Sequence, residues 1–148
     1  MVVLAALWAL SPRPIIASSI GPACDSEAEG NYIDSLTGPA DAASERGDHR
    51  LAMKLYAKAA DYGAHCAPLD LARTIARSHT GDPNYNPAEA FYSQPMTHYE
   101  DAAKEADTAG LRNERCSYMR RSLIQESYVP QYSTHKLSPE ERHLMRGC

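Results

Sequence analysis

The sequence predicts an all-α fold of irregular antiparallel helical hairpins with additional helices toward the carboxyl terminus. Apolar residues recur at spacings of three and four in several segments, which is the period of a helix with one buried face. Capping and helix-ending residues flank those segments, and no segment shows the sustained alternation of a half-buried strand. A length of 148 residues suits one domain with a core large enough to fold without a metal.

The clearest helical pattern runs from Asp48 to Gly63, and the rest of the prediction is organised around it. Asp48 can accept a hydrogen bond from a free backbone N–H of the first turn, and Gly63 tolerates the positive φ found just beyond many helix ends. The predicted buried stripe consists of Ala52, Leu55, Tyr56, Ala59 and Ala60. The opposite face carries Arg50, Lys54, Lys58 and Asp61. The alanines in the stripe predict that a neighbouring helix approaches closely.

The segments on either side of this organising helix are predicted to be shorter elements. Residues 24–38 show no sustained period and are predicted to be irregular, whereas residues 39–46 are predicted to form a helix that Gly47 ends. Residues 64–67 are predicted to form a turn after the organising helix, and a second amphipathic helix is expected over residues 68–78. Because the turn is so short, the two helices that it joins are expected to pack antiparallel.

The middle of the chain is predicted to contain two further helices. Residues 81–87 are rich in glycine, proline, asparagine and aspartate and are predicted to form a loop. A helix is expected to restart near Pro87 and to break at Pro95, because proline removes a hydrogen bond within a helix. Thr97 is then expected to cap a new helix that Gly110 ends.

The carboxy-terminal part is predicted to contain a long helix and a short one. Residues 111–128 are expected to be helical. The candidate core positions of this helix are Cys116, Met119, Leu123 and Ile124. Residues 131–137 are predicted to be an extended loop. Ser138, followed by proline and two glutamates, is expected to cap a last helix that reaches Arg146.

Residues 55–63, LYAKAADYG, resemble the second helix of a Sel1-like repeat, a relative of the tetratricopeptide repeat, through Leu-Tyr, Lys-Ala-Ala and a closing glycine. Residues 67–81 are similar to the first helix of a following repeat, and residues 86–92, NPAEAFY, resemble the start of its second helix. The resemblance covers residues 41–92. It implies helical hairpins that stack and expose broad surfaces for protein partners.

The amino terminus begins with a short apolar segment, MVVLAALWAL. This segment has the length of the apolar part of a signal peptide and is too short to span a bilayer, which takes about 20 residues. Small residues follow, with candidate processing points after Ser19 and Ala23. We therefore expect a signal peptide over residues 1–23, a single helical domain over residues 24–148, and no stable membrane span. The alternative is a buried amino-terminal helix or strand.

The four cysteines, Cys24, Cys66, Cys116 and Cys148, are dispersed instead of lying at the two-residue spacing of zinc and redox motifs. An even number after an export-like segment predicts two disulfides and an extracytoplasmic location, periplasmic or secreted. Four cysteines allow three connectivities, of which we favour Cys24 with Cys66 and Cys116 with Cys148. Each disulfide is worth roughly 3–4 kcal/mol in the chain-entropy model. The alternative is four free thiols in a cytoplasmic protein.

Charge and motif content disfavour several classes of function. The chain has 15 basic and 19 acidic residues, for a net charge of −4, without the clustered cations of a nucleic-acid or anionic-membrane surface. The six histidines form no pair at metal-ligand spacing, and phosphate-loop and nucleophile-elbow motifs are absent. Glu100, Asp101 and Glu105 fit a solvated helix face better than a catalytic pair. We therefore predict no catalytic residue, no metal, no cofactor and no nucleic-acid partner.

The candidate residues for partner contact lie on the predicted helix over residues 111–128, because arginine and tyrosine are enriched at the dominant positions of protein interfaces. They are Arg115, Tyr118, Arg121 and Tyr128. The sequence thus predicts an exported, non-enzymatic protein–protein interaction module. Two alternatives stay open: a self-assembling structural subunit of an extracellular assembly, and a small secreted helical hydrolase, which requires a deep cleft that holds a buried acid. An open groove beside the organising hairpin favours binding, and full coverage by the last helices indicates a closed bundle.

Overall fold

The computed structural model describes residues 20–77, 86–132 and 135–148. Every regular element in these ranges is a helix, which confirms the all-α prediction. The helices are α1 Ser26–Glu45, α2 His49–Arg77, α3 Pro87–Thr108, α4 Arg112–Ser127 and α5 Pro139–Met145, with a 3₁₀ turn at Pro130–Tyr132. Most of the predicted signal peptide and of the predicted loop, residues 1–19 and 81–85, lies outside the described residues. None of the described helices has the length and apolar character needed to cross a membrane.

The helices form an open row in which each packs mainly against its neighbours in the sequence. The principal interfaces join α1 to α2, α2 to α3, α3 to α4 and α4 to α5, and α5 also contacts α3. Within the described ranges, α1 and α4 share no comparable interface, so they do not close a four-helix bundle. Antiparallel neighbours stacked in chain order are typical of helical hairpin arrays.

The first helix begins earlier than predicted, which corrects the expectation of an irregular segment over residues 24–38. Asp25 caps α1, because its side chain accepts hydrogen bonds at 3.2 and 3.3 Å from two backbone N–H groups of the first turn. The buried positions of α1 recur at helical spacing and are Ile33, Leu36, Ala40 and Ala43. Pro39 lies inside the helix, and the exposed Ser35, whose carbonyl loses its intrahelical bond, is open to water.

The second helix is continuous, so the predicted hairpin between residues 48–63 and 68–78 is wrong. α2 passes through Gly63 and Pro68 and has 29 residues, a length of about 43 Å at 1.5 Å per residue. Gly63 is buried, and a Cβ atom placed there would lie 3.5 Å from the ring of Pro95 in α3. Gly63 therefore lies inside the helix and does not end it, and the space beside it would also accept an alanine. Pro68 is exposed, so its ring does not disturb the packed face.

The third helix also continues through its proline, which corrects the predicted break at Pro95 and the predicted cap at Thr97. The Pro95 side chain is fully buried against α2, so the proline contributes to the interface. The hydroxyl of Thr97 donates to the carbonyl of Ser93 at 2.9 Å, which is a bond within a helix and not a cap. Tertiary packing has thus outweighed the local preference of proline to stop a helix.

Several predicted helix ends are confirmed. The Asp48 carboxylate accepts a hydrogen bond at 3.2 Å from a backbone N–H of the first turn of α2. α3 begins at Pro87 as expected. Gly47 and Gly110, which follow α1 and α3, have φ values of 84° and 73°, in the left-handed region that favours glycine. Ser138 begins α5 with a complete capping box.

Alanine allows α2 and α3 to approach each other closely. Six alanines of these two helices have 0% exposed area: Ala52, Ala59, Ala60, Ala102, Ala103 and Ala106. The larger Tyr56 and Tyr99 are buried beside them, and their hydroxyl groups donate to carboxylates, Tyr56 to Asp41 and Tyr99 to Asp61. Most of the predicted stripe is therefore buried as expected, whereas Leu55 is only half-buried.

The fourth helix agrees with the prediction over residues 111–128 to within one residue at each end. Its predicted core positions divide into Cys116 and Met119, which are buried, Leu123, which is half-buried, and Ile124, which is 50% exposed. The core assignment of Ile124 is therefore wrong. The inward positions nearby belong to Ser122 and Gln125, and the Ser122 hydroxyl donates to a backbone carbonyl of α3 at 2.9 Å. Because two of the buried positions of α4 are polar, the apolar residues alone do not mark its buried face.

Both disulfides of the favoured connectivity are present. Cys24 pairs with Cys66 across a Cα–Cα distance of 5.4 Å, and Cys116 pairs with Cys148 across 5.6 Å. The first attaches the segment before α1 to the middle of α2, and the second attaches the last residues to α4. Because both pairs lie within the chain, neither Cys24 nor Cys148 has a free thiol for bonding to a neighbouring chain.

Replacing Gly63 by alanine tests whether α2 is continuous. Inside a helix with 3.5 Å of clearance to Pro95, Gly63→Ala is expected to raise the free energy of unfolding by about 0.5–1 kcal/mol, because alanine is the better helix former. Gly47→Ala is the matched control, since nothing lies within 4 Å but φ is 84°, and it should lower stability by about 1 kcal/mol. Urea unfolding measures both. If Gly63→Ala lowers the free energy of unfolding as much as Gly47→Ala does, Gly63 lies in a turn and α2 is not continuous.

Mass spectrometry of peptides from a non-reducing digest tests the disulfides. We expect two linked pairs, one joining Cys24 to Cys66 and one joining Cys116 to Cys148, with no alkylated cysteine. Replacing Cys24 and Cys66 together by serine should lower the free energy of unfolding by roughly 3–4 kcal/mol, because the link closes a long loop in the unfolded chain. Four alkylatable cysteines in protein recovered from its native compartment would contradict both the pairing and the export prediction.

Candidate functional site

A large groove lies along α2, between the first half of α1 and the first half of α3. It has a volume of about 820 Å³ and is open to solvent along its length. α1 contributes Glu29, Gly30 and Ile33, α2 contributes Asp70 and Arg73, and α3 contributes Phe91 and Gln94. The groove exists because α1 and α3 both pack on α2 while α4 lies against α3 and leaves α1 uncovered.

The rim of the groove is the short segment before α1, which is held by side-chain donors of α1 and α2. The hydroxyl of Tyr32 donates to the Ile20 carbonyl at 3.3 Å, and the hydroxyl of Tyr62 donates to the Ala23 carbonyl at 3.4 Å. Arg73 donates to the carbonyl of Cys24. With the Cys24–Cys66 disulfide, these bonds fix the rim to the wall of the groove.

Gly21 permits the close approach of this rim to the aromatic rings beneath it. A Cβ atom at this position would lie 2.7 Å from ring atoms of both Tyr32 and Tyr62. The two rings meet edge to face at a centroid distance of 4.8 Å, so neither can move aside without loss of the other contact. A side chain at position 21 would therefore lift the rim from the groove.

Glu29 and Asp70 form a carboxyl pair inside the groove. Burial, a hydrogen bond with Asp70 and the negative charge of Asp70 together raise the pKa of Glu29 from 4.5 to about 7, against the opposing charge of Arg73. The Oε1 atom of Glu29 is buried and receives no hydrogen bond from a described donor. The protonated acid is therefore favoured, because it can donate a hydrogen bond to Asp70 where two carboxylates would repel each other.

This pair can hold and exchange one proton near neutral pH, but its geometry does not suit glycoside hydrolysis. The carboxyl groups of glycosidases are separated by roughly 5–9.5 Å so that a sugar or a water fits between them. The Asp70 carboxyl lies beside Glu29 and favours its protonated form, so the two groups hold one proton between them instead of flanking a bound sugar. The groove is better suited to hydrogen bonding with a ligand than to that chemistry.

One group of potential metal ligands lies at the edge of the groove. Atoms of Cys24, Glu29 and Cys66 are all within 4.8 Å of one another, the single such group in the described part of the chain. Both sulfur atoms belong to the disulfide, so they are not thiolates, the form in which cysteine binds metals. In the oxidised protein this group therefore has one carboxylate and no second anionic ligand.

A serine and a histidine both contact one glutamate at the end of the helices that lies away from the groove. The order of the three does not match that of a catalytic triad. Glu105 accepts from the Ser44 hydroxyl at 2.5 Å with one oxygen and lies 2.6 Å from His49 Nδ1 with the other. Nucleophilic catalysis requires the histidine to contact the serine, and here the carboxylate separates them. The arrangement joins α1, α2 and α3. Glu105, predicted to be on a solvated face, is instead only 12% exposed.

The predicted protein-binding residues lie in different environments. Arg115 is only 12% exposed, because its guanidinium binds Asp107 at 3.0 Å and the carbonyl of Arg146 at 2.7 Å. Tyr118 and Arg121 lie together on the outer surface, with the guanidinium 5.7 Å from the ring centroid. Tyr128 is half exposed and packs against Tyr92, with ring centroids 5.0 Å apart. The structure thus brings together Tyr118 and Arg121 and not the other two.

The acid pair of the groove was not identified from the sequence. Glu29 fell in the segment predicted to be irregular, and Asp70 fell on the presumed exposed face of a separate helix. The signal that identifies Glu29 as helical is Asp25, a good capping residue followed by glutamates in the first turn. No local signal indicates that two carboxyl groups 41 positions apart meet across two helices.

Comparison of the chain with family models, with curated proteins and with solved structures finds no match.

The pH dependence of stability tests the environment of Glu29. Between pH 4.5 and about 7 the unfolded chain has released the Glu29 proton while the folded chain retains it, so the free energy of unfolding falls as the pH rises. This half-buried group should contribute on the order of 1–3 kcal/mol to that fall. Glutamine does not titrate, so Glu29→Gln should not show this fall. The free energy of unfolding of the variant should therefore rise relative to that of the parent protein as the pH rises.

Urea unfolding at several pH values between 4 and 8 measures the effect, and Glu27→Gln is the control. Glu27 lies on the same turn of α1 but is exposed and does not line the groove. The free energy of unfolding of Glu27→Gln should stay within about 0.5 kcal/mol of that of the parent protein over the whole pH range. If Glu29→Gln and Glu27→Gln give parallel curves, the proton is not held in the groove.

Proposed function

We propose that this chain is an exported, non-enzymatic protein-binding module whose binding surface is the groove between α1, α2 and α3. The observation that carries the proposal is that the helices form an open row, in which a groove of about 820 Å³ stays accessible. A closed bundle would have filled the same space with the last helices. The resemblance of residues 55–63 to a Sel1-like repeat supports a role in protein recognition, because such hairpin arrays expose broad binding surfaces.

Both disulfides support export. Disulfides persist in oxidising compartments and are rare where thiols are kept reduced. The Cys24–Cys66 link also has a local role, because it attaches the rim of the groove to α2. In a reducing compartment the rim would depend on three hydrogen bonds from Tyr32, Tyr62 and Arg73. An extracytoplasmic location, periplasmic or secreted, therefore suits the groove that we propose to bind the partner.

The lining of the groove fits a peptide segment better than a small apolar molecule. Ile33 and Phe91 supply apolar contact, while Glu29, Asp70 and Gln94 supply hydrogen-bonding groups along the open side. Volumes of about 300–1,000 Å³ are typical of binding pockets, but enclosed pockets are lined mainly by apolar side chains. An open groove lined by both polar and apolar side chains can accept the backbone and several side chains of one partner segment.

A small secreted hydrolase is the second candidate, and one observation favours it. Such an enzyme requires a cleft that holds a partly buried acid, and Glu29, with a pKa of about 7, lies in one. The neighbouring Asp70 carboxyl counts against it, because it competes with a substrate for the proton of Glu29. Turnover of a peptide or glycan that Glu29→Gln abolishes would favour the enzyme over the binding module.

Photocrosslinking followed by calorimetry tests the proposed binding surface. A photoreactive phenylalanine derivative in place of Thr74, which lines the groove, should crosslink a partner protein in the native compartment. The same derivative in place of Asn31, which is exposed and does not line the groove, should not. The partner is then purified, and its affinity is measured by isothermal titration calorimetry against two groove variants.

Gly30→Trp and Asn31→Trp form the matched pair for that measurement. Gly30 lines the groove, and a Cβ atom at this position would have no neighbour within 4 Å, so tryptophan would fill the groove without disturbing the helix. We expect Gly30→Trp to weaken binding at least tenfold, which is about 1.4 kcal/mol or more, and Asn31→Trp to change it less than twofold. Equal affinities, or equal crosslinking from both positions, would contradict the proposal.

A further inference from the structure

A row of cations, which we call the cationic stripe, follows the outer face of α2 and ends on α4. It consists of Arg50, Lys54, Lys58 and Arg121, all of them exposed. The three α2 residues are spaced four apart and so lie on one face of the helix. Asp61, three residues beyond Lys58, joins the stripe to Arg121, which lies 3.5 Å from it. At 1.5 Å per residue the stripe is about 17 Å long.

The positive charge of the cationic stripe is not neutralised by the rest of the described chain. No carboxylate of the described residues lies within 4.0 Å of the side-chain nitrogens of Arg50, Lys54 or Lys58. Asp61 is the one acid beside Arg121, and it already accepts a hydrogen bond at 2.6 Å from the hydroxyl of Tyr99. Within the described ranges Asp61 is thus the single carboxylate within 4.0 Å of the four cations, and Glu114 acts on the neighbouring Tyr118 from α4.

The guanidinium of Arg121 is held in place by aromatic rings. Its central carbon lies 6.0 Å from the ring centroid of Tyr99 and 5.7 Å from that of Tyr118. Stacking of this kind orients the planar group and leaves its N–H groups at the edge free to bind. Arg121 donates to Asp61 at 3.5 Å, a weak bond, so most of its five donors have no partner within the described ranges. A partner carboxylate could bind two of them at once.

The cationic stripe and the groove lie on opposite sides of α2. Asp61 lies beside the stripe and Asp70 lines the groove. The nine-residue step from one to the other corresponds to about two and a half turns, so the two side chains point to opposite sides of the helix. The residues that line the groove include no member of the stripe. The two surfaces can therefore be occupied independently, and binding at the stripe does not require an occupied groove.

We propose that the cationic stripe is a second docking surface, which binds an acidic segment of a protein partner. Charge complementarity identifies the partner, because four exposed cations in a row attract carboxylates and steer their approach. Arg121 and the half-buried Tyr118 beside it favour a protein over a nucleic acid or a sulfated polysaccharide, since arginine and tyrosine dominate protein interfaces. A helical or extended acidic segment about 17 Å long would cover the stripe.

Fluorescence anisotropy with a labelled octaglutamate peptide at 0.15 M salt tests this surface. We expect the parent protein to bind octaglutamate at least tenfold more tightly than octaglutamine. Lys54→Glu combined with Lys58→Glu should weaken binding of octaglutamate at least tenfold. The control combines Lys136→Glu with Arg142→Glu, two exposed cations away from the stripe, which gives the same change in net charge and should change binding less than twofold.

Two single variants test whether binding depends on the geometry around Arg121 or only on the positive charge of the stripe. Arg121→Lys keeps the charge but loses the planar fork, and we expect at least threefold weaker binding. Asp61→Asn removes the competing carboxylate while its amide oxygen can still accept from Tyr99, and we expect binding to become two- to fivefold tighter. Circular dichroism confirms that each variant is folded.

Three outcomes would overturn the proposal. If the stripe variant and the control variant lose the same amount of affinity for octaglutamate, only the net charge matters. Absence of octaglutamate binding at 0.15 M salt would show that the stripe is simply a solvated face. Tighter binding of a heparin oligosaccharide than of octaglutamate, lost in the same stripe variant, would assign the surface to a sulfated polysaccharide in place of a protein.

Discussion

The close packing of α2 against α3 through small side chains is the contact on which the rest of the structure depends. Gly63 faces Pro95 with room for no more than a methyl group between them, and Ala52 of α2 shares a buried cluster with Ala102 and Ala106 of α3. Small side chains bring two helices near each other, so each buried methyl or methylene group gains many contacts. α1 and α4 then pack against the pair from different sides, and an open row results.

The helix boundaries show which features of this fold can be predicted from the sequence. Asp48, Gly47, Gly110 and Ser138 were identified correctly, because a cap or a positive φ is a local requirement that one residue meets. Gly63, Pro68 and Pro95 were misassigned as boundaries. Local preference opposes glycine by about 1 kcal/mol and proline by about 3 kcal/mol in a helix, and the burial of residues on both sides can offset these costs. That burial depends on a partner helix.

The candidate site was less predictable than the fold, since its members come from distant parts of the chain. Glu29 and Asp70 act on each other only because α1 and α2 are antiparallel and both longer than predicted. Arg115 illustrates the converse. Its residue type suggested an interface, but its guanidinium is used inside the protein by Asp107 and a backbone carbonyl. Residue type indicates what a side chain can do, and only the packing decides which partner it meets.

The continuity of α2 also determines how the two charged surfaces are related. Had the chain turned at Gly63, Asp70 would lie on a separate helix, and its direction relative to Asp61 would be set by a flexible connection. On a single rigid helix the two carboxylates are fixed on opposite sides, one beside Glu29 and one beside Arg121. Acidic groups on the groove side and cations on the outer side cannot then neutralise each other. The continuity of α2 through Gly63 therefore also keeps the two surfaces separate.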